Sequence, residues 1–159
     1  MSLLELPPLE ELYPSREARE ADLFLESFRR LSLAEQIRTR RVLQVVLQSL
    51  RPQVHGVLST RTGPPGLWRE YGFIIGVRRQ DSTEQRILSV GHELAHTFGF
   101  DITRSTGPWE HVCVLSSSQT EYLCQAFAVR WIALHSRTEL EALVINGWHE
   151  TRQPPPRPF

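Results

Sequence analysis

The chain has 159 residues, 40% hydrophobic and 23% charged, a balance that suits one folded domain with its own core and not a disordered segment. Eighteen basic side chains, all of them arginine, offset 18 acidic ones, so no broad attraction to nucleic acid or anionic lipid is expected. Two cysteines, Cys113 and Cys124, make neither a CxxC pair nor a disulfide framework; with no signal-peptide pattern and no apolar run long enough to span a bilayer, a cytoplasmic protein is expected.

Residues 1–14 carry Pro7, Pro8 and Pro14 and read as an irregular leader. Residues 15–31 predict a helix, with Leu23, Phe24, Phe28 and Leu31 at helical spacing. Ser32 and Glu35 form a capping-box pattern that opens a second helix, striped by Ile37, Val42, Val45, Val46 and Leu50 and stopped by Pro52. Together they predict an N-terminal helical pair over 15–51. A helical hairpin needs no more than these stripes, although a DNA-reading pair of helices would show them too.

Residues 54–60 and 71–78 read as strands, the second rich in β-branched and aromatic side chains. A helix is predicted from Ser82 to about Phe98, with Gly99 as its terminator. Residues 100–117 read as a loop, and a further helix covers about 118–135. Ser136 and Glu139 repeat the capping-box spacing before a last helix that Asn146 and Gly147 close. The sequence thus divides into a leader (1–14), a single domain (15–150, its core over 54–147) and a proline-rich tail (151–159) expected to be extended.

The informative stretch is His92-Glu93-Leu94-Ala95-His96. On a helix, positions i and i+4 share a face, so two imidazoles placed this way can reach one cation. Zinc prefers such nitrogen ligands and, in catalytic sites, takes three protein ligands and leaves a position open. Glu93 can then act as general base without ligating the ion. The flanking Ile87, Leu88, Val90, Leu94, Ala95 and Phe98 predict a buried helix, on which polar groups are costly unless satisfied. The metal-free alternative is that His92 and Glu93 hydrogen-bond each other or a loop.

The third ligand has two candidate sources. In the pattern HExxHxxGxxH, Gly99 fits the glycine but Ile102 falls on the ligand position and cannot coordinate, and the methionine turn that accompanies that pattern is missing because the sole methionine is Met1. A glutamate from a later helix fits instead: Glu121 lies on an apolar-striped segment, with 24 residues between it and His96. The alternative for Glu121 is a cap on its own helix through Ser118.

On two blocks, LSVGHELAHTFG at 88–99 and EYLCQAFA at 121–128, the chain resembles the ImmA/IrrE family of small metallopeptidases, of the gluzincin kind. The resemblance spans roughly residues 71–135. It implies an α+β, minimal zincin-like domain in which a short twisted sheet packs on the active-site helices, with the helical hairpin beside it. It implies zinc held by His92, His96 and Glu121, with manganese or iron compatible with the same ligand types, and Glu93 as catalytic base. It further implies an intracellular, site-specific peptidase engaged in regulatory proteolysis, with a protein substrate such as a helix-turn-helix repressor and no direct part for nucleic acid.

Two positions depart from the family pattern. Cys124 replaces the usual alanine one turn after Glu121, close to the expected metal, and reads first as a small buried hydrophobe. Gln125 stands where related enzymes place a side chain that orients a ligating histidine, which its carbonyl oxygen could do. For the oxyanion, His111 is the first candidate donor, ahead of Tyr122 and Arg130. His55, His135 and His149 read as surface or packing residues, and Trp109, Trp131 and Trp148 as core or cleft walls. Residues 71–78 are the candidate exposed strand on which a substrate would align. The rival functions are a metal-holding interaction module without turnover and a DNA-binding regulator built on residues 15–50.

Overall fold

The computed structural model describes residues 15–62, 71–103, 110–113 and 119–149. Among the described residues, five helices and five strands follow in the order α1 (Ser15–Glu26), α2 (Leu33–Thr39), β1 (Val42–Gln48), β2 (Gly56–Thr62), β3 (Tyr71–Arg78), α3 (Thr83–Thr103), β4 (Glu110–Cys113), α4 (Gln119–Ile132), α5 (Arg137–Asn146) and β5 (Trp148–His149). The strands form one mixed sheet in the order β4-β2-β3-β1-β5, with β1 and β3 parallel and the other pairs antiparallel. The class is α+β.

Helix α3 lies between layers. One side packs on β2 and β3, the other on α4, and α1 covers α4 in turn. Every residue from 87 to 97 is buried, the signature of a helix enclosed on all sides. Ser82 caps its start by accepting from Gln85 N–H at 3.1 Å. Glycine at 99 does not end it, because the helix runs on to Thr103. Phe24, Phe28, Phe98 and Phe127 join α1, α3 and α4 in an aromatic cluster; Phe24 and Phe98 stack at 4.6 Å. Arg40 lies over the Phe98 ring at 3.9 Å and donates to Thr97 Oγ1 and to its carbonyl, both at 3.0 Å. Both predicted capping boxes form, at Ser32 with Glu35 and at Ser136 with Glu139.

The expected helical hairpin is corrected. The second helix stops at Thr39, and Val42–Gln48 is a strand paired on both sides. The register on β3 slips between Val42 and Gln44, so Leu43 is an extra, bulged residue. The bulge puts Val42 and Val45, three apart, both into the core, and a spacing of three imitates a helical stripe. Bulged Leu43 lies across Gly72, where a Cβ would come within 2.5 Å of its side chain. The first helix ends at Glu26, short of the expected residue 31; of its expected stripe Leu23 is 72% exposed and Leu25 is buried in its stead, while Phe24, Phe28 and Leu31 pack on the core as expected. The helical pair within 15–50 is therefore α1 and a second helix of only seven residues, with a strand after it.

Between α2 and β1 the chain turns at Arg41, whose φ of 62° lies in the left-handed region. A side chain there costs about 1–2 kcal/mol, whereas the extra unfolded-state freedom of glycine costs about 0.5–1 kcal/mol. Arg41→Gly is therefore expected to stabilise the protein slightly, by up to about 1 kcal/mol. A urea midpoint shifted upward with unchanged slope is the expected reading.

Gln36 ties the helical layer together and was not legible as a core residue. Buried at 1% exposure, it uses all of its hydrogen-bonding capacity. Its Nε2 donates to the carbonyls of Phe28 and Leu31 at 3.0 and 3.2 Å. Its Oε1 accepts from Trp131 Nε1 at 2.9 Å and lies 2.8 Å from His135 Nε2. Gln36→Ala strands a buried indole N–H and opens a cavity, with an expected loss of about 2–4 kcal/mol, read as a lowered denaturation midpoint.

Candidate metal centre

Helices α3 and α4 face each other through small residues. At Gly91 an added Cβ would stand 2.8 Å from Trp131 Cε3 and 3.0 Å from Ala128 Cα. That close approach brings the next residue, His92, up to the first turn of α4, where Glu121 stands. The fourfold spacing then carries His96 to the same place one turn on. The two imidazole centroids lie 5.0 Å apart.

The Glu121 carboxylate spans both rings. Its Oε2 is 2.6 Å from His92 Nε2 and its Oε1 is 3.1 Å from His96 Nε2. On the far side of its ring, His92 Nδ1 is 2.8 Å from Gln125 Oε1. With Nδ1–H donating to that carbonyl oxygen, Nε2 is the nitrogen turned into the cluster. The structure thus brings together His92, His96, Glu121 and Gln125, four of the residues singled out in the sequence.

Glu93 is buried, at 0% exposure, on the face of α3 turned towards β2. Gly56 makes room for it: a Cβ there would come within 3.3 Å of Glu93 Cγ and Oε2. Burial alone would depress the His92 imidazole, yet contact with Glu121 and the charge of Glu93 outweigh it and hold His92 above its ordinary pKa. The cluster therefore favours positive charge where the ring nitrogens meet the carboxylates. Cys124, one turn after Glu121, is buried beside it; burial, with the Glu121 and Glu93 charges adding, pushes its thiol well above the ordinary range. The ligand atoms of His92, His96 and Cys124 all lie within 4.8 Å of one another.

These residues fit a divalent ion. Two imidazole nitrogens and a carboxylate converge from two helices in a largely buried cluster. Nitrogen, oxygen and sulfur are all zinc donors.

The remaining candidates are distributed elsewhere. His111 stands on β4, opposite Leu58 of β2; its side chain lies outside the described residues, as do Ser118 and Trp109. Arg130 is nine residues past Glu121, about 13 Å along the helix, and pairs with Asp22 of α1 at 3.4 Å, so it is no oxyanion donor to this cluster. Tyr122 is half-buried on α4. His55 pairs with Asp81 at 2.9 Å, beside the Arg78–Asp81 ion pair. His149 is exposed on β5 and Trp131 is fully buried. The expectation that 71–78 is an exposed substrate strand is corrected: β3 is interior, flanked by β1 and β2, and the sheet ends at β4 and β5. Sequence reasoning missed Gly56 and Gly91, which position Glu93 and His92; a glycine inside a strand and one inside a buried helix were the signals.

Among known proteins, no family model, no curated protein and no solved structure matches the chain.

Proposed function

We propose that the chain is a zinc-dependent peptidase of the ImmA/IrrE type, hydrolysing a peptide bond in a specific protein substrate. The observation that carries this reading is the Glu121 carboxylate lying 2.6 and 3.1 Å from the inward nitrogens of the His92 and His96 pair. A glutamate next to the first histidine and a second glutamate from a following helix are the parts that zinc-assisted hydrolysis uses.

His92, His96 and Glu121 would hold the ion, and Gln125 would fix the His92 ring. When bound, the ion would polarise a carbonyl and lower the pKa of a water to about 7. Glu93 accepts the proton of the attacking water and returns it to the leaving amine. Manganese or iron suits the same donors. A repressor substrate and an intracellular setting follow from the family likeness of 88–99 and 121–128. Among the described residues, no helix is long and apolar enough to cross a membrane.

Metal content of protein purified without added metal tests the centre. Wild type is expected to retain about one equivalent. Glu121→Ala should lose at least the 10- to 100-fold in affinity, roughly, that removal of a residue merely orienting a ligand costs. Equal metal content in both folded proteins would defeat the proposal.

A further inference from the structure

We infer that Cys124 is a fourth protein ligand of this centre, so that the resting site is closed by His92, His96, Glu121 and Cys124. This rests on the metal-dependent reading above and adds a regulatory feature to it.

The geometry comes from both helices. Helix α3 supplies its pair at i and i+4, His92 and His96; α4 supplies Glu121 and Cys124 at i and i+3. Both spacings place two side chains on one helix face. The two imidazoles and the sulfur already have their ligand atoms within 4.8 Å of one another, all three residues being buried. Donors sharing one tetrahedral ion stand about 3.3–3.6 Å apart, as follows from bond lengths near 2.0–2.3 Å. The remaining contraction, about 1 Å, is of the size that side-chain torsions supply without moving a helix.

Donor chemistry agrees. Thiolate is the softest ligand a protein offers and zinc takes it readily beside imidazole. The sulfur–ion bond forms as the S–H proton leaves to solvent, which makes binding release a proton. Cys124 packs in the apolar core and, in addition, has two imidazoles and the Glu121 carboxylate near its sulfur.

Four protein ligands mark a closed site, and three leave the position that hydrolysis requires. Cys124 is then the residue that must stand aside for turnover, so the wild type turns over only from the fraction of centres whose thiolate has left the ion.

Cobalt(II) titration of the full-length protein, followed by absorption, tests this without a substrate. Wild type should take up one cobalt per chain and show the near-ultraviolet sulfur-to-cobalt charge-transfer band together with the visible bands of a tetrahedral ion. Cys113→Ser should keep the charge-transfer band. Cys124→Ser and Cys124→Ala should lose it while keeping one cobalt and the visible bands. Stoichiometric uptake by wild type without the charge-transfer band overturns the ligation and leaves the His92, His96, Glu121 centre standing. A band that survives in either Cys124 variant overturns it likewise. If wild type takes up no cobalt, the metal centre and the ligation fail together. Should the Cys124 variants not fold, the wild-type and Cys113→Ser spectra still decide whether a thiolate is bound.

Discussion

Replacing Glu93 by glutamine should leave the metal in place and reduce hydrolysis by about 10²–10⁴-fold, the range that loss of a general base commonly costs. The two halves of this expectation have different origins. Metal retention follows from position: Glu93 is on the face of α3 towards Gly56 of β2, while the nitrogens of His92 and His96 meet Glu121 of α4. Loss of turnover follows from chemistry, since an amide of nearly the same shape cannot accept and return the proton. The substitution is isosteric, so the packing against Gly56 survives. The checks are metal analysis of the purified variant and appearance of new protein N-termini in cell extract treated with zinc-loaded wild type or variant. A variant that cleaves as well as wild type would remove Glu93 from the chemistry and with it the peptidase reading. A variant that loses its metal would instead make Glu93 a ligand.

What could be read from the amino-acid order was whatever depends on neighbours along the chain. The fourfold spacing of His92 and His96 and the capping boxes at Ser32 and Ser136 are local, and each formed. Glu121 could be reached because a helix with an apolar stripe limits which of its side chains face inward. The failures at 42–48, 71–78, 110–113 and Gln36 involve partners distant in sequence. Residues 42–48 carry core valines three apart because of the bulge at Leu43, and only the pairing with β3 reveals a strand. The interior place of β3 depends on β1 arriving in parallel beside it, which no feature of 71–78 announces. The four residues of β4 sit in a stretch of turn formers and acquire strand form from β2. Gln36 is polar on a helix of seven residues, and its burial follows from Trp131 and His135, nearly a hundred positions away.

Gly91→Val should cost both stability and metal binding, because one position sets the distance between the ligand-bearing helices. Helix propensity argues the other way: glycine inside a helix is about 0.8–1 kcal/mol worse than alanine, and valine recovers part of that. Sterics prevail. A first carbon at this position meets the Trp131 ring at 2.8 Å and the backbone of Ala128 at 3.0 Å. Neither can yield easily, since Trp131 is fully buried and held by its hydrogen bond to Gln36. Overpacking a core costs about 1–3 kcal/mol, and valine adds two methyl groups to the clash, so a net loss of about 2 kcal/mol or more is expected. Relief by separating α3 from α4 would carry His92 and His96 away from Glu121. Metal affinity should therefore fall in the fraction that still folds, whereas a destabilising mutation away from both helices, such as Val42→Ala in the core of β1, should leave it unchanged. Chemical denaturation paired with zinc titration of the two variants separates these effects. Unchanged zinc affinity in folded Gly91→Val would show that the contact between the helices at Gly91 does not govern the geometry of the site.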